Sequence, residues 1–100
     1  MKEWQVKKGI KKWELPAKTK FLGYVINMPE TEEFLAQHRG SEDMDLWGWH
    51  PSPEEAIKYK ARSAAIAIAD HYKKAPVEVV ALMDIGEQYL TTTLKSIDEL

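Results

Sequence analysis

Hydrophobic positions along this chain fall into short runs separated by polar turns, with one longer stretch that keeps a helical spacing. Residues 20–28, KFLGYVINM, are dense in β-branched and aromatic side chains and stop at Pro29, which predicts a strand. Simple alternation sets Phe21 and Val25 on one face of it, against Leu22, Tyr24, Ile26 and Met28 on the other. Residues 44–50, MDLWGWH, predict a second strand, in which Trp47 and Trp49 point one way while Met44, Leu46 and His50 point the other. Residues 76–85, PVEVVALMDI, predict a third, with Val77, Val79, Ala81 and Met83 sharing a face. Gly86 then turns the chain into EQYLTTTL, read as a further strand, with a C-terminal helix from Glu87 as the competing reading.

The helical stretch begins at Ser52-Pro53-Glu54-Glu55, which has the form of a capping box with proline at the first helical position. It predicts a helix to about Lys74, ended by Pro76. Ile57, Ala61, Ala64, Ala65, Ile68, Ala69 and Tyr72 recur at spacings of three and four and form its apolar face, and the alanines suggest close packing on a sheet. TEEFLAQHR, residues 31–39, predicts a short helix capped by Thr31 and ended by Gly40. The first segment, Trp4 to Leu15, is interrupted at Gly9 and predicts a bulged strand or a tight hairpin. Together these give a single α+β domain over residues 1–100. Its sheet is mixed or antiparallel, of four to five strands, packed by one long helix and accompanied by one short one.

This pattern leaves a question. The strands around Tyr24 and Trp47 are apolar on both faces, and one helix covers only one face of a sheet. The second face needs a cover: the short helix, the N-terminal segment or another molecule.

Composition narrows the chemistry. The chain has 100 residues and no cysteine, which excludes disulfides, thiolate metal sites and thiol nucleophiles and fits a cytoplasmic setting. No apolar run approaches the roughly 18 to 20 residues needed to cross a bilayer, and the N-terminal residues alternate charge too often for a secretory leader. The net charge is −2, unevenly spread. Lys2, Lys7, Lys8, Lys11, Lys12, Lys18 and Lys20 face only Glu3 and Glu14 in the first twenty residues. Between Glu30 and Glu55, eight acidic residues oppose Arg39 alone.

Catalytic signatures are absent. Asp43-x-Asp45-x-Trp47-Gly48, with Glu54 at the twelfth position, approximates a calcium loop, but Trp47 stands where an oxygen ligand belongs and the stretch reads as a strand. Its match is taken as coincidence, so neither a metal nor another cofactor is expected. His38, His50 and His71 are isolated in sequence, and His50 beside Pro51 suits a role in orienting the turn.

Three functions remain open, the first of them leading. In that one the chain is a non-enzymatic protein-interaction module, its partner another protein or a second copy in a homodimer, contacted through Trp47, Trp49, Tyr24 and the acidic Glu42, Asp43 and Asp45. In size and sparseness such a chain is similar to accessory and inhibitor (anti-defence) proteins of phages and mobile elements. In the second, Lys7, Lys8, Lys11 and Lys12 contact nucleic-acid phosphates while Trp13 or Trp4 stacks on a base. In the third, Trp47, Trp49 and Tyr24 hold a planar ligand or nucleotide in a pocket or dimer cleft.

Overall fold

The computed structural model describes residues 1–40 and 44–100. Helix α1 (Glu3–Lys12) precedes strands β1 (Lys20–Met28), β2 (Glu33–Gly40) and β3 (Asp45–His50). A 3₁₀ turn over Pro53–Glu55 leads to helix α2 (Arg62–His71), followed by β4 (Glu78–Asp84), β5 (Tyr89–Thr93) and α3 (Leu94–Asp98). The strands form one sheet in the order β3-β2-β1-β4-β5, and every neighbouring pair is antiparallel. The α+β class therefore holds, with two ten-residue helices in place of one long one.

Over the central strands β1 and β4, both faces of the sheet are covered within the chain. On the first, Tyr24 of β1 and Ala81 of β4 pack with Ala65 of α2 and Ile97 of α3, and Trp13 closes the edge. On the second, Val25, Val80 and Leu82 pack with Ala56, flanked by Leu22 and Phe34. Ala56 and Ala65 are nine residues apart in the chain but lie on opposite faces, so the chain crosses the sheet between them. The crossing is visible in the backbone. β1 pairs with β2 only at Asn27↔Phe34 and Met28↔Glu33, and beyond these pairs the two strands part. Into the gap come the Ile57 N–H, donating to the Leu35 carbonyl at 2.9 Å, and Tyr59, which exchanges two 2.8 Å hydrogen bonds with Tyr24.

This crossing explains why the long helix does not form. An α-helix satisfies its own backbone and is too thick to lie between two strands; an extended segment there completes the open edges of both. The Ser52 cap is present, its hydroxyl accepting from the Glu54 N–H, but it opens only the three-residue 3₁₀ turn.

Gly23 makes room for the crossing. It sits in a bulge of β1 at φ 148°, and a β-carbon there would stand 3.0 Å from the Lys58 β-carbon and 3.2 Å from the Tyr59 carbonyl oxygen. The bulge also reassigns the faces read from simple alternation. Phe21 joins Tyr24 in an edge-to-face ring pair on the helix side, and Leu22 goes to the second face with Val25.

Two further expectations are corrected. Residues 33–40 are a strand, because pairing with β3 along their length outweighs the modest helix preference of Glu, Leu, Ala and Gln. The connection to β1 turns at Glu32, whose φ of 58° completes the hairpin. The N-terminal segment is a helix: Val6, Ile10 and Trp13 recur at spacings of four and three and face inward. Gly9 is needed for contact rather than for a bend, since a β-carbon there would lie 2.8 Å from the Trp13 ring.

Arg62, at the start of α2, holds Asp98 of α3 through two 2.7 Å bonds, tying the two helices together above the sheet. The Arg62 guanidinium holds the Asp98 carboxyl below its ordinary range, so this tie is present above the usual carboxylate pKa and is lost as pH falls through the lowered one.

Candidate functional site

The residues singled out from the sequence separate into three places. Tyr24 is buried, 5% exposed, in the helix-side core. Burial pushes its phenol pKa up, and its hydroxyl oxygen accepts a hydrogen bond from the Met1 amino group at 2.9 Å. It lies two strands from β3 and is not brought together with Trp47 and Trp49.

Trp47 and Trp49 share a face, as the alternation implies, and that face is the one α2 covers. Tyr72, the residue ending α2, sets its ring 5.0 Å from both indoles in edge-to-face geometry. His38 adds a fourth ring, 4.2 Å from Trp47. A bulge in β2 makes this possible: pairing steps from Leu35↔Trp49 to Gln37↔Gly48, so Leu35 and His38 both face the helix. The WGW motif is therefore the outer end of the core, half-buried under Tyr72. Removing that ring should expose both indoles. Tyr72→Ala is expected to destabilise the protein by about 2 kcal/mol, from lost burial and two lost ring pairs. Equilibrium unfolding measures the cost, and a red-shifted tryptophan emission from the folded state checks the exposure.

The other face of the same hairpin is less covered. Leu46 is 44% exposed and Met44 65%, and together with Arg39 and Gly40 they line an open, mainly apolar depression of about 580 Å³. Arg39 is paired opposite Leu46, and Gly40 opposite Asp45. β3 is an edge strand, so one side of its backbone faces outward beside these side chains. Glu42 and Asp43, named from the sequence as partner contacts, lie outside the described residues; Asp45 is exposed at the start of β3.

The third place is α1. Lys7, Lys8, Lys11 and Lys12 are all exposed on it, with Trp4 half-exposed among them. Trp13, the aromatic partner named with these lysines, packs into the core instead.

Catalytic and metal chemistry finds little to work with among the described residues. His50 Nδ1 accepts from the Ser52 N–H at 2.9 Å, the turn-orienting role its position beside Pro51 suggested. His38 stacks on Trp47, and with His71, Asp45, Gly40 and Ile68 it lines a shallow cleft of about 340 Å³. No group of three metal-ligating side chains comes together among the described residues. Of the calcium-loop approximation, Asp43 lies outside the described residues, Asp45 to His50 is a strand, and the Glu54 carboxylate accepts a hydrogen bond from the Tyr89 hydroxyl at 3.1 Å. No described helix is long and apolar enough to cross a membrane.

The Met44–Leu46 corner was within reach of the sequence, which placed both residues on the face opposite the tryptophans. What alternation alone did not supply was that the local cover, Ala56, packs with Val25, Val80 and Leu82 of β1 and β4, beside Phe34 at the near end of β2, rather than over the Leu46 end of the hairpin. Comparison of the chain with protein-family models, with curated proteins and with solved structures returned no match.

Proposed function

We propose that the chain is a non-enzymatic protein-interaction module that docks through the β2–β3 corner onto a protein surface with an apolar centre and a basic rim. The observation that carries this reading is the juxtaposition of Met44 and Leu46, two of the five exposed large hydrophobic residues among those described, at the start of an edge strand around one open depression. Contiguous exposed apolar side chains bounded by polar ones are typical of interaction surfaces. Arg39 and the exposed Asp45 border the patch with opposite charges; the acidic stretch of the sequence, Glu42, Asp43 and Asp45, is what a basic rim on the partner would complement, speeding encounter. The tryptophans support this surface from beneath by stiffening the hairpin. Because their faces meet Tyr72 and His38, the planar-ligand reading is the weaker one. A cytoplasmic site of action fits the absence of cysteine.

The test compares wild-type protein with Leu46→Asp in affinity capture from the source cell, followed by titration of each purified prey. Placing a charge at the centre of the patch is expected to weaken the specific partner at least tenfold while leaving the melting transition nearly unchanged, since Leu46 is already exposed. Light scattering on the same samples addresses a second copy as the partner. Prey that bind Leu46→Asp as tightly as wild type would remove this surface from consideration.

A further inference from the structure

We infer that the outward face of α1 is a binding site for single-stranded nucleic acid, distinct from the protein-docking corner of the hairpin. The helix divides cleanly around its axis. At 100° per residue, Val6, Gly9, Ile10 and the following Trp13 fall on the inward side, and all four are buried or half-buried. Trp4, Lys7, Lys8 and Lys11 fall on the opposite side, with Lys12 at its margin, and all five are exposed. The result is a flat aromatic ring in a field of ammonium groups.

The local charge favours an anion. Glu3 is the one acidic residue within the helix, and its contact with Lys7 is 3.8 Å long between strongly exposed side chains, an ion pair of little strength. Lys12 donates to the Glu99 carbonyl at 3.3 Å, which fixes its stem beside Leu100. Lys8 rests its ammonium 4.8 Å from the Trp4 ring centroid. That contact is weak in water, so a base can slide onto the indole while the ammonium turns to the adjoining phosphate.

The chemistry selects among polyanions. A membrane surface asks for a broad apolar helix face to bury, and the outward face of α1 offers one indole, while Val6, Ile10 and Trp13 on the inward side are half-buried. Of the side chains that read base edges in a duplex, Arg, Asn and Gln are missing from the outward face, which carries lysines, able to read guanine only, and an indole better suited to stacking on an unpaired base. Lysines spaced along about two turns, with one ring for stacking, suit the phosphates and one unstacked base of a short single strand.

The experiment measures fluorescence anisotropy of labelled oligothymidylate and oligouridylate with the full chain across a salt series. Duplex DNA, heparin and phosphatidylserine vesicles serve as competitors. Four lysine contacts predict a slope of log K against log salt near −3, from about −0.7 per phosphate on a single strand. Lys7→Ala/Lys8→Ala/Lys11→Ala/Lys12→Ala should abolish binding. Trp4→Ala should weaken it about tenfold and Trp4→Phe much less, with heparin binding indifferent to Trp4. All these positions are exposed, so melting temperature and circular dichroism should match wild type. No binding at low salt, binding that survives the lysine substitutions, or equal affinity for heparin and oligonucleotide with no Trp4 effect would each overturn the inference. So would preference for duplex or vesicles.

Discussion

Gly23→Val should cost about 2 to 6 kcal/mol and lower the urea midpoint sharply. Two separate penalties meet at this position. A β-branched residue held at φ 148° is strained by about 1 to 3 kcal/mol. The new side chain must also enter the space where Lys58 and Tyr59 cross the sheet, at 3.0 and 3.2 Å from its β-carbon, for about 1 to 3 kcal/mol of overpacking. Against a total stability of about 5 to 15 kcal/mol for a domain this size, that is a large fraction. The Tyr59 contact is with backbone, so a change of side-chain rotamer cannot relieve it. Gly40→Ala is the matched control: its nearest neighbour is the Asp45 carboxylate at 3.2 Å, which can turn away, and its φ is not in the positive range. Urea unfolding followed by tryptophan fluorescence measures both. A Gly23→Val midpoint within error of wild type would mean that the chain does not cross the sheet at Tyr24.

Leu35→Ala is the second large effect, expected at about 2 to 5 kcal/mol. Leu35 is completely buried and sits opposite Trp49, and its own carbonyl accepts from Ile57. Truncation keeps that backbone bond but leaves a cavity where the hairpin, the crossing segment and the aromatic cluster converge. The urea midpoint should fall with little change in slope, since the same surface is exposed on unfolding. Leu46→Ala, on the same hairpin but 44% exposed, should shift stability by less than about 1 kcal/mol. Similar losses for the two leucines would contradict the division of the hairpin into a buried face and a free one.

That division also shapes the functional argument. The apolar corner of the hairpin and the basic face of α1 are built from different elements. Leu46→Asp and the lysine substitutions therefore separate a protein partner from a nucleic-acid partner. If both readings hold, the chain is an adaptor that brings a basic protein surface to a single strand.

The sequence by itself determined the elements whose signal is local. β1, β3 and β4 lie where β-branched and aromatic runs ended by Pro29, Pro51 or Gly86 placed them, and the α+β class follows from these elements; the stretch from Glu87, open between strand and helix in sequence, is β5 followed by α3. It also set the tryptophan face apart from the Met44–Leu46 face, because period-two alternation holds over Asp45–His50. Tertiary structure decided what depends on partners distant in the chain. Residues 33–40 became a strand because β3 and the parting edge of β1 offered backbone bonds that a short isolated helix could not match. The SPEEA cap opens a 3₁₀ turn rather than a long helix because the chain must cross the sheet at Tyr59, and only extended backbone fits between two strands. The cover of the second face was decided the same way. It comes from within the chain over β1 and β4, where Ala56 follows the 3₁₀ turn, and it ends short of Leu46, leaving that corner of the hairpin exposed.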